Sequence, residues 1–168
     1  MVSPRLNIRQ TEEAVSARLG DRQVDWPAMH AISSLYRAAN AVRGRLTTDV
    51  LRPRDLSWTG FVVLWTIWIW EPIETRDVAE SAAISKATLT GVAKTLETRG
   101  LIERAVSASD GRLVELRLTE RGRTLMEELH PEFNAAESEL IQGLSQYRVN
   151  EMTRGLRTLV ETVEGRDE

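Results

Sequence analysis

The sequence predicts a mainly α-helical chain that carries one small β-hairpin, and three observations predict it. Apolar residues recur at spacings of three and four through most of the chain, the signature of amphipathic helices. One segment breaks that rhythm: after Gly100, two short apolar runs at 101–105 and 113–118 flank the polar stretch Ser107-Ala-Ser-Asp-Gly-Arg112. Two such runs around a glycine-containing turn read as a hairpin. Thr119-Glu120 then restarts a helix at once, with a threonine in the capping position.

The elements follow in order. Residues 1–24 form a polar N-terminal extension with a short helix over 10–19. Asp25-Trp26-Pro27 opens a long helix, because Asp25 caps it and Pro27 fits an early position where its missing N–H is no loss. Ile32, Leu35, Ala39, Val42, Leu46 and Val50 give that helix one apolar face, and Pro53 ends it. Ser57 caps the next helix, with Trp58, Phe61, Val62, Trp65, Trp68 and Ile69 on one side and Val63, Leu64 and Ile67 on the other. Apolar all round, it is expected to be buried nearly all round. Glu71-Pro72 ends it.

Thr75 is expected to cap a short helix through Ser81, with Val78 and Ala79 inward. After a turn at Ala83-Ile84, Ser85 caps a helix whose apolar set is Leu89, Val92, Ala93 and Leu96, and Gly100 stops it at C′. Beyond the hairpin, Pro131 should kink the helix that begins after Thr119 or split it in two. Gly143 and Ser145 then precede a last amphipathic helix with Val149, Met152, Leu156, Leu159 and Val163.

Composition bounds the function. The chain has 168 residues, 42% hydrophobic and 28% charged, which is the profile of a globular protein of one domain plus extra helices. Its longest apolar run, 61–70 with Thr66 inside it, is far too short to span a bilayer, and no apolar leader is evident at the N-terminus. No membrane association is therefore expected, and a cytoplasmic location is. With no cysteine and only His30 and His130, thiol chemistry is excluded and no metal or cofactor is expected. The net charge of −3 is unevenly spread: positions 81–123 carry eight basic and five acidic residues, or +3, which leaves −6 elsewhere. A basic reading lobe on an acidic association lobe would show this pattern.

A helix-turn-helix reads DNA by placing its second helix in the major groove. Ser85, Lys86, Thr88, Leu89 and Thr90 stand at the start of such a helix, with Lys94 further along it. Hydroxyls can bond bases or phosphates, and a threonine methyl or a leucine can touch a thymine methyl. At the hairpin tip, the Arg112 guanidinium suits a narrow minor groove, and Asp110 can bond turn N–H groups or pair with a nearby arginine. Gly91 in mid-helix allows a close approach of backbone to DNA or to the preceding helix, or serves neither.

These residues carry a resemblance. Ser85-Lys-Ala-Thr-Leu-Thr90, Leu96-Glu-Thr-Arg-Gly-Leu-Ile-Glu-Arg104, Asp110-Gly-Arg112 and Leu118-Thr-Glu-Arg-Gly122 together resemble the MarR family of bacterial winged helix-turn-helix regulators, over about residues 26–163. The resemblance implies a winged helix-turn-helix lobe at 56–122, with dimerisation helices at 25–55 and 123–168. It implies a homodimer that reads a palindromic operator in double-stranded DNA. Ser85, Lys86, Thr88 and Thr90 would face the major groove and Arg112 the minor groove. Gly91 departs from the family, where many relatives have a basic residue.

The resemblance also implies a small, often aromatic and anionic, effector that lowers DNA affinity. Trp26 and His30, one turn apart, and Trp65 and Trp68 are its candidate contacts, although tryptophans at helical spacing also serve as core. The N-terminal segment ending in Asp25-Trp26 is similar to that of the urate-responsive subgroup, whose acidic pocket residue is replaced here by Val62, so urate is not expected. The absence of cysteine excludes the peroxide-sensing subgroup. The function expected is that of a transcriptional repressor relieved by a ligand. The alternative is a winged-helix module for protein contact with no specific DNA target. No nucleophile–base pair, metal motif or phosphate loop suggests an enzyme.

Overall fold

The computed structural model describes residues 7–20, 22–106 and 110–165. The chain divides into two compact units, residues 1–45 and 46–168. The first holds α1 (Ile8–Leu19) and all but the last residue of α2 (Trp26–Leu46). Asn7 opens α1 with a capping box. Its side chain accepts from the Gln10 N–H at 2.8 Å, while the Gln10 side chain accepts from the Asn7 N–H at 3.0 Å. Asp25 caps α2 as expected, accepting from the Ala28 N–H at 3.0 Å. A hydrogen bond from Arg37 Nη2 to Thr11 Oγ1, 2.7 Å long, ties the two helices.

The α-helical stretch predicted through Val50 ends at Leu46. Thr47–Leu51 widens into a π turn and Arg52–Arg54 tightens into a 3₁₀ turn, which Asp55 closes in the left-handed region at φ 54°. A π turn brings residues five apart onto one face. Leu46 and Leu51 are thereby both buried, at 2% and 0% exposure.

The second unit is built on α3 (Trp58–Trp70), which the Ser57 hydroxyl caps by accepting from the Gly60 N–H at 3.0 Å. Phe61, Val63, Leu64, Thr66 and Ile67 of α3 are buried, and the Thr66 hydroxyl donates to the Val62 carbonyl. Burial is not complete all round, because Ile69 and Trp70 at its end are exposed. Strand β1 (Ile73–Glu74) follows, then α4 (Thr75–Ser81), α5 (Lys86–Thr98), β2 (Ile102–Val106) and β3 (Val114–Leu118). Thr75 is the first residue of α4 rather than its cap; Glu74 takes the cap position and makes no side-chain cap bond.

The hairpin is part of a three-stranded antiparallel sheet in the order β1-β3-β2. Ile102 pairs with Leu118 and Val106 with Val114, while Ile73 of β1 pairs with Leu116. Beyond the sheet, α6 (Glu120–Ile141) and α7 (Gln146–Glu164) complete the chain. Thr119 caps α6, accepting from the Gly122 N–H at 3.1 Å and donating its hydroxyl to the Gly100 carbonyl at 2.6 Å.

Pro131 does not split α6, which runs unbroken through it. Proline removes the donor to the carbonyl of Glu127, but both residues lie at exposed positions where solvent can supply one. Met126, Leu129 and Phe133 of α6 enter the core, and the Phe133 ring stacks on Phe61 at 4.3 Å. By contrast, α7 buries no residue: Met152, Leu156, Val160 and Val163 are all exposed. No described helix is long and apolar enough to cross a membrane.

Candidate nucleic-acid interface

The tight connection between α4 and α5 rests on Ala83, at φ 50°, and on the Ile84 N–H donating to the Ala79 carbonyl at 3.0 Å. Ser85 then caps α5. Its hydroxyl accepts from the Thr88 N–H at 3.1 Å and shares a 2.9 Å hydrogen bond with Thr88 Oγ1. Thr90 Oγ1 donates to the Lys86 carbonyl at 2.8 Å. With its proton engaged by the helix, the Thr90 hydroxyl offers an acceptor and a methyl to any partner outside. Such a group suits an amino donor on a base edge or a thymine methyl.

Ser85, Lys86, Thr88, Thr90 and Lys94 are all exposed, so α5 presents five of its six expected contact residues outward. Leu89 is the correction. At 4% exposure it forms the inward stripe of α5 with Ala93 and Leu96, and only its edge reaches the groove beside the outward face. Gly91 has no role in packing, since a Cβ there would meet no heavy atom within 4 Å. A close approach to the preceding helix therefore does not explain it.

A groove of about 230 Å³ runs beside this face, lined by Thr75 and Arg76 of α4, Lys86 and Thr90 of α5, and Arg104 of β2. Its arginines are paired, Arg76 with Glu80 at 2.8 Å and Arg104 with Glu97 at 2.9 Å. Glu80 holds the Arg76 guanidinium firmly in its charged form.

At the wing, Ser107, Ala108 and Ser109 lie outside the described residues. The next three are described. Asp110 Oδ1 accepts from the Arg112 N–H at 3.0 Å and from Arg112 Nε at 3.2 Å, while Oδ2 accepts from Nη2 at 3.1 Å. Asp110 thus makes both of the bonds foreseen for it, and to one residue. The Arg112 side chain, its main partner, and then the Arg112 backbone N–H hold the Asp110 carboxyl below its usual range. The Arg112 side chain stays 90% exposed, fixed at its base and free on its outer side.

Behind the wing lies a residue that sequence reasoning missed. The Glu71 carboxylate, 15% exposed, accepts from the Leu118 N–H at 2.6 Å and pairs with Arg123 at 2.5 Å. Continuing the β1–β3 register from Ile73–Leu116 brings position 71 opposite Leu118, so the side chain supplies the rung that the short strand lacks. A lone glutamate beside a proline gave no periodic signal of this.

The ring candidates form two pairs. In the first unit Trp26 and His30 lie 5.9 Å apart and line an open hollow of about 660 Å³ with Glu12, Glu13, Ser16 and Ala17 of α1. In the second unit Trp65 and Trp68 are half-buried and meet edge to face at 5.6 Å. His130 of α6 stacks on Trp65 at 5.3 Å and lies 5.6 Å from Trp68. Sequence reasoning did not associate His130 with them, because tertiary packing alone brings a residue from α6 to α3.

Comparison with known proteins agrees with this arrangement. A family model described as MarR family matches residues 56–114. The chain is 36% identical over 159 residues to the HTH-type transcriptional regulator YwaE of Bacillus subtilis, covering 93% of each chain. Among solved structures, S. aureus MepR in complex with DNA superposes with a TM-score of 0.70 at 22% identity, over 77% of this chain and 96% of that one. CouR from Rhodococcus jostii RHA1, bound to p-coumaroyl-CoA, superposes with a TM-score of 0.67 at 28% identity, over 74% of this chain and 87% of that one.

Proposed function

The chain belongs to the MarR family of DNA-binding transcription regulators and is not an enzyme, and from that premise we propose that it is a homodimeric repressor. In this reading each subunit inserts α5 into the major groove and the wing into the adjacent minor groove of double-stranded DNA. One observation carries it: the exposed Lys86, Thr88, Thr90 and Lys94 of α5 share a fold with an exposed Arg112 whose base Asp110 fixes. Ser85 orders the start of α5 and adds a hydroxyl to the same face. Asp110 acts through Arg112 rather than on the DNA, since a carboxylate facing phosphates would repel them.

Homodimerisation is supported by the apolar side chains that a lone chain leaves in water. Met152, Leu156, Val160 and Val163 on α7, and Ile32, Tyr36 and Val42 on α2, are exposed. A second copy covers such stripes at the cost of no polar group. In this proposal residues 25–55 and 123–168 dimerise, residues 56–122 read DNA, and the two-fold symmetry of the pair requires a palindromic operator.

The proposal includes a small aromatic effector that lowers DNA affinity. The Trp65–Trp68–His130 cluster offers ring faces for stacking. At the Trp26–His30 hollow, Glu13 is paired with Arg9 at 3.1 Å, and Glu12 favours a neutral or cationic ring over an anion. A regulator of this kind works in the compartment that holds the DNA, the cytoplasm of a bacterium. The test is selection of bound fragments from a random duplex pool by the purified protein. A palindromic consensus, bound with steep salt dependence, is expected. Equal, weak binding to all duplexes would instead favour a protein-contact module.

A further inference from the structure

Lys86 and Lys94 are the only lysines in this chain, and every other one of its 22 basic side chains is an arginine. Both lie on α5, eight residues apart and about 12 Å along its axis, with their side chains exposed. The ion pairs recorded among the described residues use arginine, as in Arg76 with Glu80, Arg104 with Glu97, Arg112 with Asp110 and Arg123 with Glu71. Neither lysine has an ion-pair partner among the described residues.

No ion pair among the described residues uses these two charges. Lys86 occupies the first position of α5, where the helix dipole favours an anion and opposes a cation. An arginine at either place would supply the same charge to a phosphate. What lysine has and arginine lacks is a primary amine that can be acylated to a neutral amide.

We propose that Lys86 and Lys94 form an acylation switch, at which an acyl thioester such as acetyl-CoA neutralises the DNA-reading helix. The proposal rests on the reading of α5 as that helix. In the step, an ammonium first loses a proton to solvent. The Nζ amine then attacks the thioester carbonyl, a C–N bond forms, the C–S bond breaks, and the thiol leaves with the second proton. Modification of both residues lowers the charge of positions 81–123 from +3 to +1. The arginine pairs that hold α4, α5 and the wing are chemically untouched, so the lobe keeps its fold while losing its hold on DNA.

The test uses the full chain and a duplex recovered by the selection above. The protein is incubated with acetyl-CoA with and without duplex, acetylation is mapped by peptide mass spectrometry, and affinity is titrated. The expected result is acetylation of both lysines in the free protein, protection of both by the duplex, an unchanged circular dichroism spectrum and at least a tenfold loss of affinity. The salt slope should fall by about 1.8, the loss of two phosphate contacts. A K86R/K94R variant, whatever its starting affinity, should keep that affinity through the same treatment. Undiminished binding by the doubly acetylated protein, or an equal loss in the arginine variant, overturns the proposal alone. Failure of the untreated chain to prefer any duplex overturns the DNA reading and this proposal with it.

Discussion

Gly122 meets the backbone of Leu101 so closely that a Cβ at position 122 would lie 1.9 Å from the Leu101 carbonyl oxygen. That same oxygen accepts the Thr119 N–H at 3.1 Å. The start of α6 is therefore welded to the chain entering β2, and the contact point tolerates only glycine. Gly122→Ala should destabilise the protein by at least about 3 kcal/mol, since backbone, not a flexible side chain, must give way. Urea unfolding followed by circular dichroism measures this, and a loss under 1 kcal/mol would contradict the contact.

Glu71 should matter to the sheet more than to α3, which it terminates. Glu71→Ala orphans the Leu118 N–H and leaves Arg123 without its carboxylate, for an expected loss of about 2–3 kcal/mol. Glu71→Gln keeps an acceptor for Leu118 and should lose less. Amide exchange at Leu118 should quicken in the alanine variant and change little in the glutamine variant.

Arg112→Ala should weaken duplex binding by tenfold or more while leaving the oligomeric state unchanged, as gel shifts at matched salt and sedimentation would show. Asp110→Asn should have a smaller effect in the same direction, because it loosens the guanidinium without removing it. The pH dependence has a definite sign. The Asp110 carboxyl is held below its ordinary range by Arg112, so the clamp is complete above the unfolded-state value and is lost only as pH falls through the lowered folded-state value. A carboxyl carbon titration by NMR should show Asp110 protonating below a typical aspartate; protonation at or above that range would remove the clamp.

Truncation after Glu139 removes α7 and with it the exposed row Met152, Leu156, Val160 and Val163. The full chain should sediment as a dimer and the shortened chain, at the same concentration, as a monomer. Because α7 buries no residue, the helical signal per residue and the thermal unfolding of the reading lobe should be largely retained.

Much of this molecule was legible before its structure. Ser57, Ser85, Thr119 and Ser145 were each read as a cap or break from local chemistry, and each hydroxyl accepts a backbone N–H at the start of its helix. What local reading leaves open or misses depends on more than neighbours in sequence. Strand β1 has two residues and carries no period to detect. Leu89 fits both an apolar stripe and a thymine methyl, and only the packing of α5 assigned it inward. Pro131 breaks a helix by propensity, yet its exposed position lets α6 continue.

The sequence by itself determined where helices begin, which faces are apolar, where the hairpin turns, and that the two lysines fall on one helix. These are properties of adjacent residues, set by capping, periodicity and steric limits on the backbone. Tertiary structure alone decided that Glu71 completes a strand, that His130 stacks on Trp65, and that Gly122 must lack a side chain. Each of those joins groups 21 to 65 positions apart in the chain, and no local preference encodes such a meeting until the core has closed around it.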